Sequence, residues 1–505
     1  MRAIQIAAVL SYITIGCTIL TSIFFTPMMV SFLGQQEFGL YSLMLGLMGY
    51  LSILDLGLGN AIVRYIARNR AIGNETMEAA LNGFFLKLFL GIGVLTLFIG
   101  WLLFSHIELI FGQSLTDGQL ERAKVMGYVM TISLAVQFPL SVFASILQAY
   151  EKFIFMKATA LLQVVLQPLT MLFFLWQGAG TVTLIAVAAT YNSLFLLVDA
   201  LFCYKVLAVK FTWKFKDTAL QKEIFMYALL IFMTVIVDKI YWQTDQLLLG
   251  IFKGTVDVAI YAVAIQIVLL FMSLALAVSG LFLPRISILV AQNEWSSINT
   301  LFIHVGMVQF LIIGYILGGF YLVGQTFLAL WLGEAFVEVY LIVLLIMLPF
   351  MIDLIQNIGL NVLKAKNLLT FRTWLLIVIA ISNIILSIPA IYYFGKIGTA
   401  VVTGCSLLIG NGVVMNIYYA KKVQLMIGRF WQQMGRLALA FLLAIGLTQC
   451  IRLTLYRETT WYDMGIILCC YTVFVSGSVF WIGLTKGQRQ WVYKGVQRIG
   501  IRHFS

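Results

Sequence analysis

Gly34-Gln-Gln-Glu-Phe-Gly-Leu-Tyr41 opens a segment that runs through apolar residues to Asp55-Leu-Gly-Leu-Gly-Asn-Ala-Ile-Val-Arg64-Tyr-Ile-Ala-Arg-Asn-Arg70. A short polar turn begins it and three arginines end it. From Phe38 to Arg64 is 26 steps, about 39 Å as helix at about 1.5 Å each. The hydrocarbon layer of a bilayer is about 30 Å thick, so the segment predicts a crossing helix. Near its basic end it carries an aspartate, two glycines and an asparagine. An ionisable group at that depth is costly, and it marks a pathway or a pairing partner.

The rest of the chain has the same character. Hydrophobic residues make up 62% and charged residues 10%, which places the chain among all-α polytopic membrane proteins. Met1-Arg2 leads into an apolar run too long for a cleavable signal, so a true first span is expected. The net charge of +12 lies in the loops between spans. Membrane orientation explains it there, and no nucleic-acid partner is expected. The six cysteines all fall in apolar runs, which predicts buried small residues rather than a disulfide framework. No metal-ligand spacing or glycine-rich phosphate loop appears, and no cofactor is expected.

About fourteen spans are predicted, near 5–32, 38–66, 80–104, 123–148, 155–177, 181–204, 223–252, 257–284, 298–324, 336–363, 371–394, 397–420, 434–452 and 462–484. With both termini in the cytoplasm, inside segments hold 24 of the 32 Lys and Arg and outside segments six. That asymmetry supports the orientation. No outside loop is long enough for a folded domain, and the largest, 105–122, has room for a short surface helix. Gly34-Gln-Gln-Glu-Phe-Gly-Leu-Tyr41 matches Gly254-Thr-Val-Asp-Val-Ala-Ile-Tyr261 in its glycine, acid and tyrosine, 220 residues on. Leu147-Gln-Ala-Tyr-Glu-Lys152 resembles Leu363-Lys-Ala-Lys-Asn-Leu368 at an offset of 216. Six spans separate the copies, which predicts two six-helix lobes in parallel pseudo-repeat. The expected organisation is an N-lobe over 1–208, a cytoplasmic linker over 209–222, a C-lobe over 223–422, two further helices over 423–485 and a basic tail over 486–505. The tail has the spacing of an amphipathic surface helix, which its glycines weaken.

Phe38-Gly-Leu-Tyr41, Asp55-Leu-Gly-Leu-Gly59 with Arg64 and Arg68, Thr244-Asp245-Gln-Leu-Leu-Leu-Gly250 and Ala259-Ile-Tyr261 resemble the Wzx-type polysaccharide flippases of the MOP superfamily. That superfamily also holds the MATE exporters and the lipid II flippases. The resemblance covers spans 1 to 12 and is patchy after Arg285. It implies movement of an undecaprenyl-diphosphate-linked oligosaccharide from the inner to the outer leaflet of a bacterial cytoplasmic membrane. It further implies a cavity between two lobes whose basic groups meet the diphosphate or acidic sugars. Some such proteins couple transport to an ion gradient. A polysaccharide polymerase and other export components are the further partners expected.

The candidate substrate residues are Arg64, Lys87, Lys239, Trp242 and Gln356. Arginine suits a diphosphate because its planar fork of donors is permanently charged. Arg64, Arg68 and Arg70 also suit an orienting cluster at the inner headgroup layer. Lys87 is about 10 Å into its span, where it can bind phosphate or snorkel back to the interface. Asp238, Lys239, Trp242, Gln243, Asp245 and Gln246 fall within an arc of about 160° at about 100° per residue. Such a face predicts a water-lined wall, and Tyr241 and Trp242 can stack on sugars. Gln356 belongs to a second polar stripe with Asp353 and Asn357. Candidates for ion coupling or charge pairing are Asp55, Asp238 and Asp353, with Asp55 equally readable as part of a helix-breaking kink. His304 near a helix end reads as structural.

Three functions compete. A lipid-linked oligosaccharide flippase accounts for the repeat, the fourteen spans and basic groups at membrane depth. A MATE-like exporter of cations calls for a mainly acidic cavity, which Lys87 and Lys239 argue against. A membrane polymerase or glycosyltransferase calls for a sizeable outer loop or an acidic catalytic cluster, and neither is visible. The chain is therefore read as a transporter and not an enzyme.

Overall fold

A computed structural model describes residues 2–279, 282–366, 368–455, 460–487 and 489. The predicted basic tail lies outside the described residues from position 490 on, with Lys494, Arg498 and Arg502. The described chain is helical nearly throughout. In order come α1 (Arg2–Leu33), α2 (Gln35–Leu51), α3 (Leu58–Ala71), α4 (Glu75–Ser105), α5 (Ile107–Phe111), α6 (Asp117–Ala149), α7 (Phe153–Trp176), α8 (Thr181–Lys205) and α9 (Thr218–Phe252). Then follow α10 (Thr255–Ser279), α11 (Leu283–Ala291), α12 (Trp295–Leu332), α13 (Val339–Ile355), α14 (Asn357–Ala365), α15 (Leu369–Leu407), α16 (Met415–Tyr418), α17 (Ile427–Leu455) and α18 (Trp461–Ser478). Among the described residues there is no strand. The short α5 occupies the predicted outer loop.

Among the described residues, thirteen helical segments are long and apolar enough to cross a bilayer. The longest, Leu369–Val423, is two arms joined at Gly395, whose φ of 59° and ψ of −142° interrupt the helix. Counted as two, these arms bring the total to the fourteen crossings expected. Val94, Phe98 and Trp101 on α4 are more than half exposed, as suits a face turned to acyl chains rather than water. The cysteines depart from expectation. Cys203 is buried, but Cys405, Cys450 and Cys469 are exposed. A thiol is a small hydrophobe, so a lipid-facing surface holds it as readily as a core does.

The chain packs into two compact units, Met1–Ala262 with Ser387–Lys396 and Val263–Leu386 with Ile397–Ser505. In the first, the Asp55-Leu-Gly-Leu-Gly59 stretch breaks the second crossing in two. A tight turn over Ser52–Asp55 ends α2, and Leu56 (φ 54°) and Gly57 (φ 71°) then take left-handed conformations before α3 begins. Glycine accepts that conformation without cost, whereas leucine does not. A Cβ on Gly57 would also lie 2.9 Å from the Ala228 carbonyl of α9, so the glycine serves both the turn and the close approach. On α2, Gly39, Gly46 and Gly49 present one face. A side chain at Gly39 would overlap the Thr255 backbone and one at Gly49 the Gln243 amide. Small residues thus bring α2 against α9 and α10.

The second unit is built around α12, α13 and α17. Its own broken crossing separates α13 from α14 at Gln356, seven residues after Pro349. The two copies of the glycine motif share local structure. Gly34 (φ 79°) and Gly254 (φ 92°) each lead into a helix. The acid three residues later is ion-paired in both: Glu37 with Arg122 at 2.8 Å and Asp257 with Lys396 at 2.6 Å. Tyr41 and Tyr261 are both buried. Gly73 and Asn293, again 220 apart, both have positive φ just before α4 and α12.

Candidate functional site

Most candidate residues lie on α3, α4 and α9 of the first unit. The polar arc predicted on α9 divides among three neighbours. Gln243 and Gln246 turn to the glycine face of α2, and the Tyr50 and Thr244 hydroxyls share a hydrogen bond. Asp245 is 2% exposed and accepts from the Tyr261 hydroxyl at 2.7 Å and the Ser387 hydroxyl at 3.1 Å. It ties α9 to α10 and to the first arm of α15. Asp238 is exposed and Lys239 half-buried. Trp242 is half-buried, with its ring set edge-on to Tyr241 at 5.2 Å. The Gln243 Oε1 is buried without a hydrogen-bond partner among the described residues.

The basic residues have distinct settings. Arg64 is exposed on α3, its guanidinium 4.4 Å from the centre of the Tyr227 ring of α9. Beside it the Tyr65 hydroxyl donates to Glu223 at 3.0 Å, and the Tyr65 and Tyr227 rings meet edge-on at 6.2 Å. A planar cation over an aromatic face keeps its donors free in the ring plane. Arg68 is also exposed, and Arg70 lies 3.7 Å over the Tyr150 ring at the end of α6. Lys87 donates to the Trp213 carbonyl at 2.6 Å and lies 5.3 Å from its indole. It pins the connection between α8 and α9 across α4, as do Thr212, whose amide donates to Ala79 at 2.8 Å, and the Phe84–Phe215 contact. Asp55 is half-buried at the break, its carboxylate beside Gly59 at the start of α3.

The second unit holds the other two. Asp353 pairs with Arg372 at 3.5 Å. Gln356 is buried and exchanges two hydrogen bonds with Asn416, at 2.8 and 3.3 Å, while the Trp431 indole also donates to Asn416. His304 is exposed, with Nδ1 2.8 Å from the Thr300 carbonyl of its own helix. Sequence reasoning passed over Tyr50, Tyr65, Tyr227 and Glu223. Tyrosines in apolar runs look like filler until the fold aims their hydroxyls at partners.

This arrangement places cations and aromatic faces on membrane-crossing helices, as in a polytopic membrane protein. The chain is a member of the family described as polysaccharide biosynthesis protein, whose model matches residues 5–290. A search of curated proteins found no match. Among solved structures it is similar to the lipid II flippase MurJ in an inward closed conformation. There the TM-score is 0.73 at 16% identity, covering 94% of this chain and 98% of that one. It is also similar to an inward-facing multidrug resistance MATE transporter, at TM-score 0.64 and 15% identity over 82% and 96%. A third likeness, at TM-score 0.54 and 15% identity over 83% and 96%, is to a MOP superfamily transporter from Pyrococcus furiosus whose binding pocket is described as of reversed polarity. The resemblance read from the second and seventh crossings is borne out, as is the all-α multi-pass fold.

Proposed function

We propose that this chain is a flippase carrying an undecaprenyl-diphosphate-linked oligosaccharide from the inner to the outer leaflet of the cytoplasmic membrane. It works by alternating access and serves a cell-surface polysaccharide such as O-antigen, capsule or exopolysaccharide. One observation carries the reading. Arg64 and Lys239 sit in membrane-crossing helices of the first unit, and neither forms an ion pair among the described residues. A cation in a membrane-crossing helix is costly without an ion-pair partner. A diphosphate supplies one, and it suits both the arginine fork and the lysine point charge. Trp242 offers an aromatic face to a sugar.

In this proposal the lobes are residues 1–208 and 223–422, both termini are cytoplasmic, and a polymerase accepts the product. Asp55 and Asp238 serve ion coupling or charge pairing, while Lys87, Gln356 and Asp353, expected at the substrate and coupling sites, are assigned to the frame through Trp213, Asn416 and Arg372. The test is reconstitution into vesicles with a labelled polyprenyl-diphosphate sugar. Protein-dependent movement between leaflets, lost in Lys239→Ala at normal abundance, supports the reading. Movement of a fluorescent organic cation in place of the lipid would overturn it in favour of an exporter.

A further inference from the structure

A second polar site lies at the other end of the first unit from the ion pair of Glu37. Here the ends of α3, α6 and α8 meet the start of α4 around a cavity of about 580 Å³. Glu75, Glu78 and Asn82 line it from one face of α4, at helical spacing. Arg70, Tyr150 and Lys210 line it from the other elements. The inner wall consists of acceptors. Glu78 is 8% exposed and accepts from the Tyr150 hydroxyl, but it forms no ion pair among the described residues. Burial and that carboxylate push the Tyr150 phenol up to about 12, so it remains a proton donor at neutral pH.

Asn82 is 1% exposed, and its Nδ2 donates to the Lys210 carbonyl at 3.1 Å. That bond fixes the orientation of the amide, and Oδ1 is left buried without a partner among the described residues. Arg70 reaches the same Tyr150 hydroxyl but does not pair directly with Glu78, and a buried carboxylate without an ion pair and a buried carbonyl without a donor are each costly. Both ask for N–H groups. The outer wall is cationic, with Arg70 exposed and Lys210 only loosely paired with Glu75 at 3.4 Å, where both side chains are more than three-quarters exposed. Val206, which lines the cavity, is over 60% exposed, and Ile72 and Tyr204, within two residues of lining positions, are as exposed. An apolar lip on a charged cavity fits an amphiphile better than a free solute.

We infer that this cavity binds a zwitterionic headgroup made of a primary ammonium and a phosphodiester, the ammonium between Glu78 and Asn82 and the phosphate toward Arg70 and Lys210. Its source is a phospholipid of the ethanolamine type, whose acyl chains leave over the Ile72–Val206 lip. This site uses none of Arg64, Lys239 or Trp242, so it stands apart from the proposed translocation chemistry.

Native mass spectrometry of the full chain, released from mixed lipid discs of ethanolamine, choline and glycerol phospholipids, tests it. The wild type should retain the ethanolamine lipid about tenfold over the choline lipid, because a quaternary ammonium has no N–H to donate. Glu78→Gln keeps an acceptor for Tyr150 but removes the charge, and it should erase that preference. Asn82→Ala and the exposed Lys210→Ala should each weaken retention severalfold. Free phosphoethanolamine that displaces the lipid at equal affinity would support the headgroup chemistry and assign a soluble source. Equal retention of choline and ethanolamine lipids, or unchanged retention in both Glu78→Gln and Lys210→Ala, would overturn the inference.

Discussion

The described residues include an interrupted helix pair in each unit, α2–α3 in the first and α13–α14 in the second, and the two breaks are treated differently. In the second unit the break at Gln356 is closed. Its amide is matched by Asn416, Trp431 also donates to Asn416, and Asp353 three residues earlier is paired with Arg372, although Asn411 Oδ1 beside Asn416 is buried without a partner among the described residues. In the first unit the break at Ser52–Gly57 lies among groups with unused capacity. Gln243 Oε1 has no partner among the described residues, and neither Arg64 nor Lys239 forms an ion pair there, the charge of Asp238 lying next to Lys239 in the chain. Satisfied polar networks rigidify a core, whereas unsatisfied ones cost free energy until a ligand completes them. Under the proposed function, the contrast assigns binding chemistry to the first unit and structural chemistry to the Gln356 amide pair of the second.

The largest effect expected from this contrast is on Lys239. Lys239→Ala should slow reconstituted lipid translocation by about 10- to 100-fold, the loss of a charge-assisted contact to phosphate. Its abundance and melting temperature should stay near wild type. Normal translocation would remove Lys239 from the site. Next comes Asn416→Leu, which strands the buried Gln356 amide and should destabilise the chain by about 2 kcal/mol. The double variant with Gln356→Leu should recover part of that loss, since neither partner is then left unmatched. If Gln356→Ala instead melts normally but fails to translocate, Gln356 contacts substrate and the contrast between the breaks fails.

Gly57→Ala should cost about 1–2 kcal/mol, from its left-handed backbone and the nearby Ala228 carbonyl. Thermal unfolding reads this, and an unchanged melting temperature would mean that the turn relaxes freely. The smallest effect belongs to Lys87→Met. Losing the bond to Trp213 should leave the fold intact but speed protease cleavage within 206–217 severalfold. A large loss of translocation with unchanged cleavage would show that Lys87 acts on substrate rather than on the connection.

Much of this was legible in the residues. Long apolar runs ended by charges specify crossings, because an unpaired backbone cannot lie in lipid and helix length must match bilayer thickness. The Asp55-Leu-Gly-Leu-Gly59 break was readable because glycine at such a position signals a turn or a close contact. The repeat was readable at Gly34 and Gly254 because the same local geometry needs the same residue types. Partners were not readable. The arc on α9 looked like one wall by angle alone, yet Asp245 turned inward to Tyr261 and Ser387 while Asp238 stayed exposed. Periodicity gives the direction of a side chain about its own axis, but not what stands opposite. Ser387 lies 142 residues from Asp245, and Trp213 lies 126 from Lys87. Sequence alone determined how many helices cross and where they bend, since those are local matters of length, polarity and backbone freedom. Only the tertiary structure decided which polar groups are matched and which remain open, because hydrogen bonding and charge pairing depend on neighbours that the fold brings together.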